Sequence, residues 1–77
     1  MTTVAQIRGA RGLLGWSQSQ LASAAGLSEP TIKRFETGST KVSDDAVAKM
    51  RAALQGAGVE FIPENGGGAG VRLRKAP

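Results

Sequence analysis

The stretch SQSQLASAAGLSEPTIKRFETG, residues 17–38, leaves room for little except two short helices meeting at an angle. Ser17 is a good N-cap for QSQLASAA, which directs Leu21 and Ala25 inward, and Gly26 is suited to the left-handed conformation that ends a helix. Leu27 plugs the turn. Ser28 then caps EPTIKRFET, with Pro30 in the first turn where its missing N–H is harmless, and Gly38 stops this second helix.

The flanking sequence supplies what such a pair must rest on. Val4, Ile7, Leu13 and Leu14 recur at helical spacing, predicting a helix over roughly 3–14 that stops at Gly15. Gly9 and Gly12 lie inside it and each costs about 1 kcal/mol relative to Ala, so this helix depends on packing rather than propensity. Trp16 approaches the next unit from the core side. After STKV, Ser43 caps a further helix with Asp44 and Asp45 in its first turn, favourably placed against the helix dipole, and Val47, Met50 and Leu54 as its inner stripe. It ends at Gly56–Gly58. The apolar period then falls from about 3.6 to about 2: Val59 and Phe61 alternate with Glu60, and Val71 and Leu73 with Arg72 and Arg74. These are two strands, 59–62 and 71–75, joined by PENGGGAG. A two-stranded ribbon is marginal alone, so its apolar face must cover the helices or meet a second copy of the chain. The pattern leaves open whether the strands pair within one chain or across a dimer.

With 77 residues the chain is one small unit that buries only roughly 60% of its unfolded surface, so its elements must be short. It contains no Cys and no His. Disulfides, thiolate or imidazole metal ligands, nucleophilic Cys and every His-dependent triad are thereby excluded, and no cofactor or metal is expected. Asp44 and Asp45 diverge by about 100° on a helix and cannot act as a facing carboxylate pair, so an enzyme is not expected. The glycine tract at 66–70 is followed by a strand and no Lys-Ser or Lys-Thr, which fits a hairpin loop and not a phosphate loop. No apolar run approaches the ~20 residues that span a bilayer, and the N-terminus is too interrupted by Arg and Gly for a signal peptide; a cytoplasmic location with no membrane partner is the expectation. The net charge of +4 is compatible with a polyanionic partner.

Two helices joined by a short turn containing Gly form either an ordinary helical hairpin or a helix-turn-helix, whose second helix enters the DNA major groove. Projection of residues 29–37 at about 100° per residue puts Ile32 and Phe35 on the buried face. Pro30, Lys33, Arg34 and Thr37 point away from it, with Glu29, Thr31 and Glu36 on the flanks. The outward face offers cations for phosphate or guanine and a compact apolar ring for a thymine methyl.

Residues 7–41, IRGARGLLGWSQSQLASAAGLSEPTIKRFETGSTK, resemble the lambda-repressor-like, Cro/XRE type of helix-turn-helix domain. The matching features are Arg11, the SQxxLA start of the second helix, a glycine turn followed by an apolar residue and Ser, and the closing IKRFETG. The resemblance implies a mainly α fold, here a four-helix bundle over residues 1–58 with a C-terminal two-stranded β hairpin replacing the usual fifth helix. It implies a transcriptional regulator, a repressor or autoregulator, that binds a palindromic operator in double-stranded DNA as a homodimer. Carried over by position, Glu29, Pro30, Lys33 and Arg34 face the bases. Ser17, Gln18, Ser28, Thr37, Ser39, Thr40 and Lys41 hold the DNA backbone, where hydroxyl, amine and helix N-terminal donors suffice without sequence information. Arg11 and Glu36 form a structural ion pair. Val59, Phe61, Val71 and Leu73, in the extension 59–77, are assigned to dimerisation.

Glu29 keeps two readings, acceptance from a cytosine amino group and a favourable charge in the first helical turn. RLRK, residues 72–75, is either a basic arm on DNA or charge that protects an edge strand from aggregation, the second being preferred. A rival from another class is a protein-interaction module, antitoxin-like or anti-activator, that uses the helix-turn-helix as scaffold. No small-molecule ligand is indicated.

Overall fold

The computed structural model describes residues 2–38 and 41–74. Four helices, α1 (Val4–Leu14), α2 (Gln18–Ala25), α3 (Glu29–Thr37) and α4 (Asp44–Gly56), are followed by strands β1 (Val59–Ile62) and β2 (Gly70–Leu73). The strands pair antiparallel within one chain, with Val59 opposite Leu73 and Phe61 opposite Val71. Gly70, expected in the connecting loop, opens β2, and the strand ends at Leu73. Among the described residues, no helix is long and apolar enough to cross a membrane.

Each helix starts where the sequence offers an oxygen. Thr3, Ser17, Ser28 and Ser43 are the N-caps, and each side chain accepts a hydrogen bond from the backbone N–H three residues on. α1 and α2 begin with full capping boxes, Thr3 with Gln6 and Ser17 with Gln20. Gly15, Gly26 and Gly38 end α1, α2 and α3 in the left-handed conformation. α4 ends differently, at Ala57 in a right-handed conformation, where Arg74 Nη2 donates to the Gln55 carbonyl oxygen at 2.7 Å. A cation at a helix C-terminus is favourable. Arg72 pairs with Glu60 directly across the ladder. Two cations of RLRK are thus engaged within the fold; Lys75 lies outside the described residues.

One core joins all six elements. Ile7, Ala10, Leu21, Ala22, Ile32, Met50, Leu54, Val59 and Phe61 are buried in it, with Leu14, Trp16, Leu27 and Phe35 packed around them. Val59 and Phe61 therefore do not form a free dimerisation face: they are 1% and 7% exposed inside the single chain. Val71 is half-buried, and only Leu73, at 49%, stands clear. The reason is that the ribbon covers the helices, one of the two options open to its apolar face.

Two further differences are local. On α4 the buried stripe runs through Ala46, Met50 and Leu54, and Val47 is only half-buried, because the step that keeps Met50 and Leu54 inside brings Ala46 inside with them. On α1, Gln6 is buried beside Ile7 and Ala10. Its Nε2 donates to the carbonyl oxygens of Ile62 at 3.3 Å and Gly70 at 3.0 Å, while its Oε1 accepts from the Thr3 N–H. A buried amide so satisfied stabilises without a desolvation penalty left over. Gly9, one turn on, lies under the sheet: a Cβ there would sit 3.3 Å from Val71 Cγ2.

Candidate nucleic-acid interface

α3 is positioned from below and behind. Ile32 is fully buried, and Glu36, four residues on, sits on the same side of the helix with its side chain 5% exposed. Arg11 grips it with two parallel bonds: Nε to Oε2 and Nη2 to Oε1, both 2.7 Å. The third point of the guanidinium, Nη1, donates to the Trp16 carbonyl oxygen at 2.8 Å. One side chain thus ties α1, the α1–α2 turn and the end of α3. Burial pushes Glu36 upward, but the bonds from Arg11 and Gln18 and the charges of Arg11 and Arg8 outweigh it, and its pKa lies below the usual carboxylate range. Arg11 is held above its ordinary value by its hydrogen bond to Glu36, in spite of burial. The expected Arg11–Glu36 pair is present, and Glu36 lies deeper than its projected place on the flank.

The opposite side of α3 carries the expected outward group. Pro30, Lys33, Arg34 and Thr37 are exposed, and Glu29 is half-buried. Arg34 is held along the helix: its Nη2 donates to Thr31 Oγ1 at 3.3 Å, and that hydroxyl shares a 2.8 Å hydrogen bond with Ser28 Oγ. The ladder Ser28, Thr31, Arg34 lies at intervals of three residues on one edge of the helix and restricts the guanidinium before any ligand arrives. Glu29 forms no ion pair among the described residues.

The residues assigned to the DNA backbone divide. Ser17 Oγ accepts from the Gln20 N–H at 3.0 Å and Ser28 Oγ from the Thr31 N–H at 3.3 Å, so each serves first as a cap, and the Ser28 hydroxyl also shares its bond with Thr31 Oγ1. Thr37 Oγ1 donates to the Arg34 carbonyl oxygen. Lys41 is exposed; Ser39 and Thr40 lie outside the described residues. Gln18 reaches inward, its Nε2 donating to Glu36 Oε1 at 3.0 Å, while the first backbone N–H groups of α2 have no partner within the helix.

Gln18 also shows what sequence reasoning missed. With Arg8, Arg11, Glu36 and Thr37 it lines an open cleft of about 480 Å³ between α1, α2 and α3. Arg8 is exposed, and its charge is felt at Glu36. Its spacing from Arg11, i to i+3, was the available signal: the two share a helix face, so an Arg tied inward at 11 leaves an Arg at 8 on the rim. The α2 N-terminus carries the positive end of the helix dipole, and Arg8 adds a cation to the cleft beside it.

Comparison with known proteins adds one result. No curated protein matches the chain. A helix-turn-helix family model matches residues 7–61, a span that takes in most of α1, all of α2 to α4 and most of β1. With the glycine-turned helix pair, the exposed cationic face of its second helix and the Arg11–Glu36 brace in place, the chain belongs to the Cro/C1 (XRE) type of helix-turn-helix proteins, DNA-binding transcription regulators.

Proposed function

We propose that the protein is a homodimeric repressor that controls transcription by laying α3 of each subunit into successive major grooves of a palindromic operator. The observation that carries this reading is the outward face of α3, where Lys33 and the restrained Arg34 stand beside Pro30 on a helix whose other face is locked by Ile32 and Glu36. In this reading Arg34 and Lys33 donate to base edges, Pro30 contacts a thymine methyl, and Glu29 accepts from a cytosine amino group. Ser17, Gln18, Ser28, Thr37 and Lys41 fix the register through phosphates.

Selection of bound DNA from a random library tests it. The expected product is an inverted repeat whose half-sites are centred roughly 34 Å apart, one helical turn. Enrichment of no sequence, together with salt-insensitive retention, would overturn the DNA reading; an unrepeated single site would overturn the palindrome and the dimer on DNA.

A further inference from the structure

Between α3 and the flank of α4 the fold leaves a groove of about 550 Å³. Phe35, Val42, Val47 and Ala48 form its apolar part, and Asp44, Arg51 and Thr2 complete its lining. Two of these apolar residues, Phe35 and Val47, belong by pattern to the core but are only half-buried. The α4 side of the groove is a single stripe, Asp44, Val47, Ala48 and Arg51, at the i, i+3, i+4, i+7 spacing of one helix face.

The ends of that stripe carry opposite charges that cannot reach each other, since seven residues of helix separate them by about 10 Å. Asp44 has no ion-pair partner among the described residues; its neighbour Asp45 is the one that bonds Lys49. Arg51 has no acidic partner among them either. Its Nη1 donates to Thr2 Oγ1 at 3.1 Å and its guanidinium lies 4.9 Å from the Phe61 ring centroid, which hold it in place and leave other N–H donors uncommitted.

We infer that this groove receives a second copy of the chain, α4 against α4 antiparallel about a two-fold axis, with Asp44 meeting the partner's Arg51 at one end and Arg51 meeting the partner's Asp44 at the other. The stripe is its own complement under that operation. Its midpoint falls between Val47 and Ala48, so the axis passes where one residue is apolar and the other small enough for the helix backbones to approach. Phe35 and Val42 flank the contact and widen it beyond one helix. The inference rests on the homodimer of the proposed function and names its surface, on α4 instead of on the strands, of whose apolar side chains Val59 and Phe61 are buried in the core.

The test is the mass of the full chain in solution without DNA, by sedimentation equilibrium, for Asp44→Arg, Arg51→Asp, their equimolar mixture and Ala48→Arg. The parent should have twice the mass of its 7.9 kDa chain. Each single charge reversal should weaken self-association at least about tenfold by setting like charges opposite one another, and mixing the two should restore a dimer in which both ion pairs are re-formed. Asp44 and Ala48 are exposed in the protomer, so Asp44→Arg, which gives up only a favourable charge at the α4 N-terminus, and Ala48→Arg should both stay folded while dissociating. They decide the matter even if Arg51→Asp, having lost its Thr2 and Phe61 contacts, fails to fold. A parent that is monomeric, or an Ala48→Arg variant as dimeric as the parent, overturns the inference. DNA binding is read separately: a dimer of this kind without operator affinity would leave the interface standing and remove the operator reading, and a chain that binds an operator as a monomer would do the reverse.

Discussion

Gln6 crosses the whole chain to reach Gly70, its Nε2 lying 3.0 Å from the Gly70 carbonyl oxygen. The same side chain closes the capping box of α1 and bonds Ile62, so one amide fastens the first helix to both strands of the hairpin. Gln6→Ala strands two strand carbonyl oxygens and the Thr3 N–H together. It should cost about 1–3 kcal/mol in urea unfolding, with faster amide exchange confined first to residues 59–73. Uniform acceleration across all helices would show that the amide is not what docks the ribbon.

Gly9 and Gly12 separate two effects of glycine that the sequence cannot tell apart. A Cβ at residue 12 meets nothing within 4 Å, whereas at residue 9 it presses on Val71. Gly12→Ala should therefore stabilise by about 0.5–1 kcal/mol through helix propensity and chain entropy. Gly9→Ala should gain less or lose, and Gly9→Ala in a Val71→Ala background should recover the propensity gain. Equal shifts in melting temperature for the two single variants would refute the packing role of Gly9.

The Arg11–Glu36 pair links stability to pH. Because the folded-state pKa of Glu36 is depressed, its contribution is complete above the unfolded carboxylate value, about 4.3, and is lost as pH falls through the lower folded value. Glu36→Gln should lower stability at neutral pH by roughly 1.5–3 kcal/mol, since the guanidinium of Arg11, 19% exposed, loses its charged partner. Below pH 4 the gap between parent and variant should narrow. A gap that is constant from pH 7 to pH 3 would mean that the carboxylate charge contributes nothing to the brace.

On DNA, Arg34→Ala and Lys41→Ala should fail in different ways. Loss of a base contact costs about 1–3 kcal/mol at the preferred operator and relaxes choice at one base pair. Loss of a phosphate contact weakens all sequences alike and reduces the salt slope by about 0.9. Binding isotherms at several salt concentrations distinguish them; an Arg34→Ala protein with unchanged preference would remove Arg34 from the base-reading set.

The elements themselves were readable because their signals are local. Ser17, Ser28 and Ser43 can cap only the residues just after them, and Gly15, Gly26 and Gly38 can end only the helix just before them. What was not readable depended on distant contact. Hydrophobicity placed Val47 inside and passed over Ala46, but the α4 rotation that buries Met50 and Leu54 decides otherwise. Gln6 looks like a surface residue of a helix first turn, and nothing nearby in sequence announces two carbonyl groups 56 and 64 residues away. Alternation identified Val59 and Phe61 as one apolar face, yet alternation cannot say whether that face meets its own helices or another molecule. Among the site residues, the Arg11–Glu36 pair followed from the family resemblance, and the outward set of α3 from helical projection with Ile32 as the anchor.

The stops that Gly26 and Gly38 impose leave α2 with eight residues and α3 with nine. Isolated helices shorter than about 12–15 residues are marginal in water, so neither outlasts the loss of the core that holds them. A cut between Gly26 and Ser28 therefore separates α2 from α3 and leaves neither covalently tied to the partner it packs against. In the proposed function such a cut should abolish operator binding, and DNA that binds only the folded chain should raise the folded population as its concentration exceeds the dissociation constant.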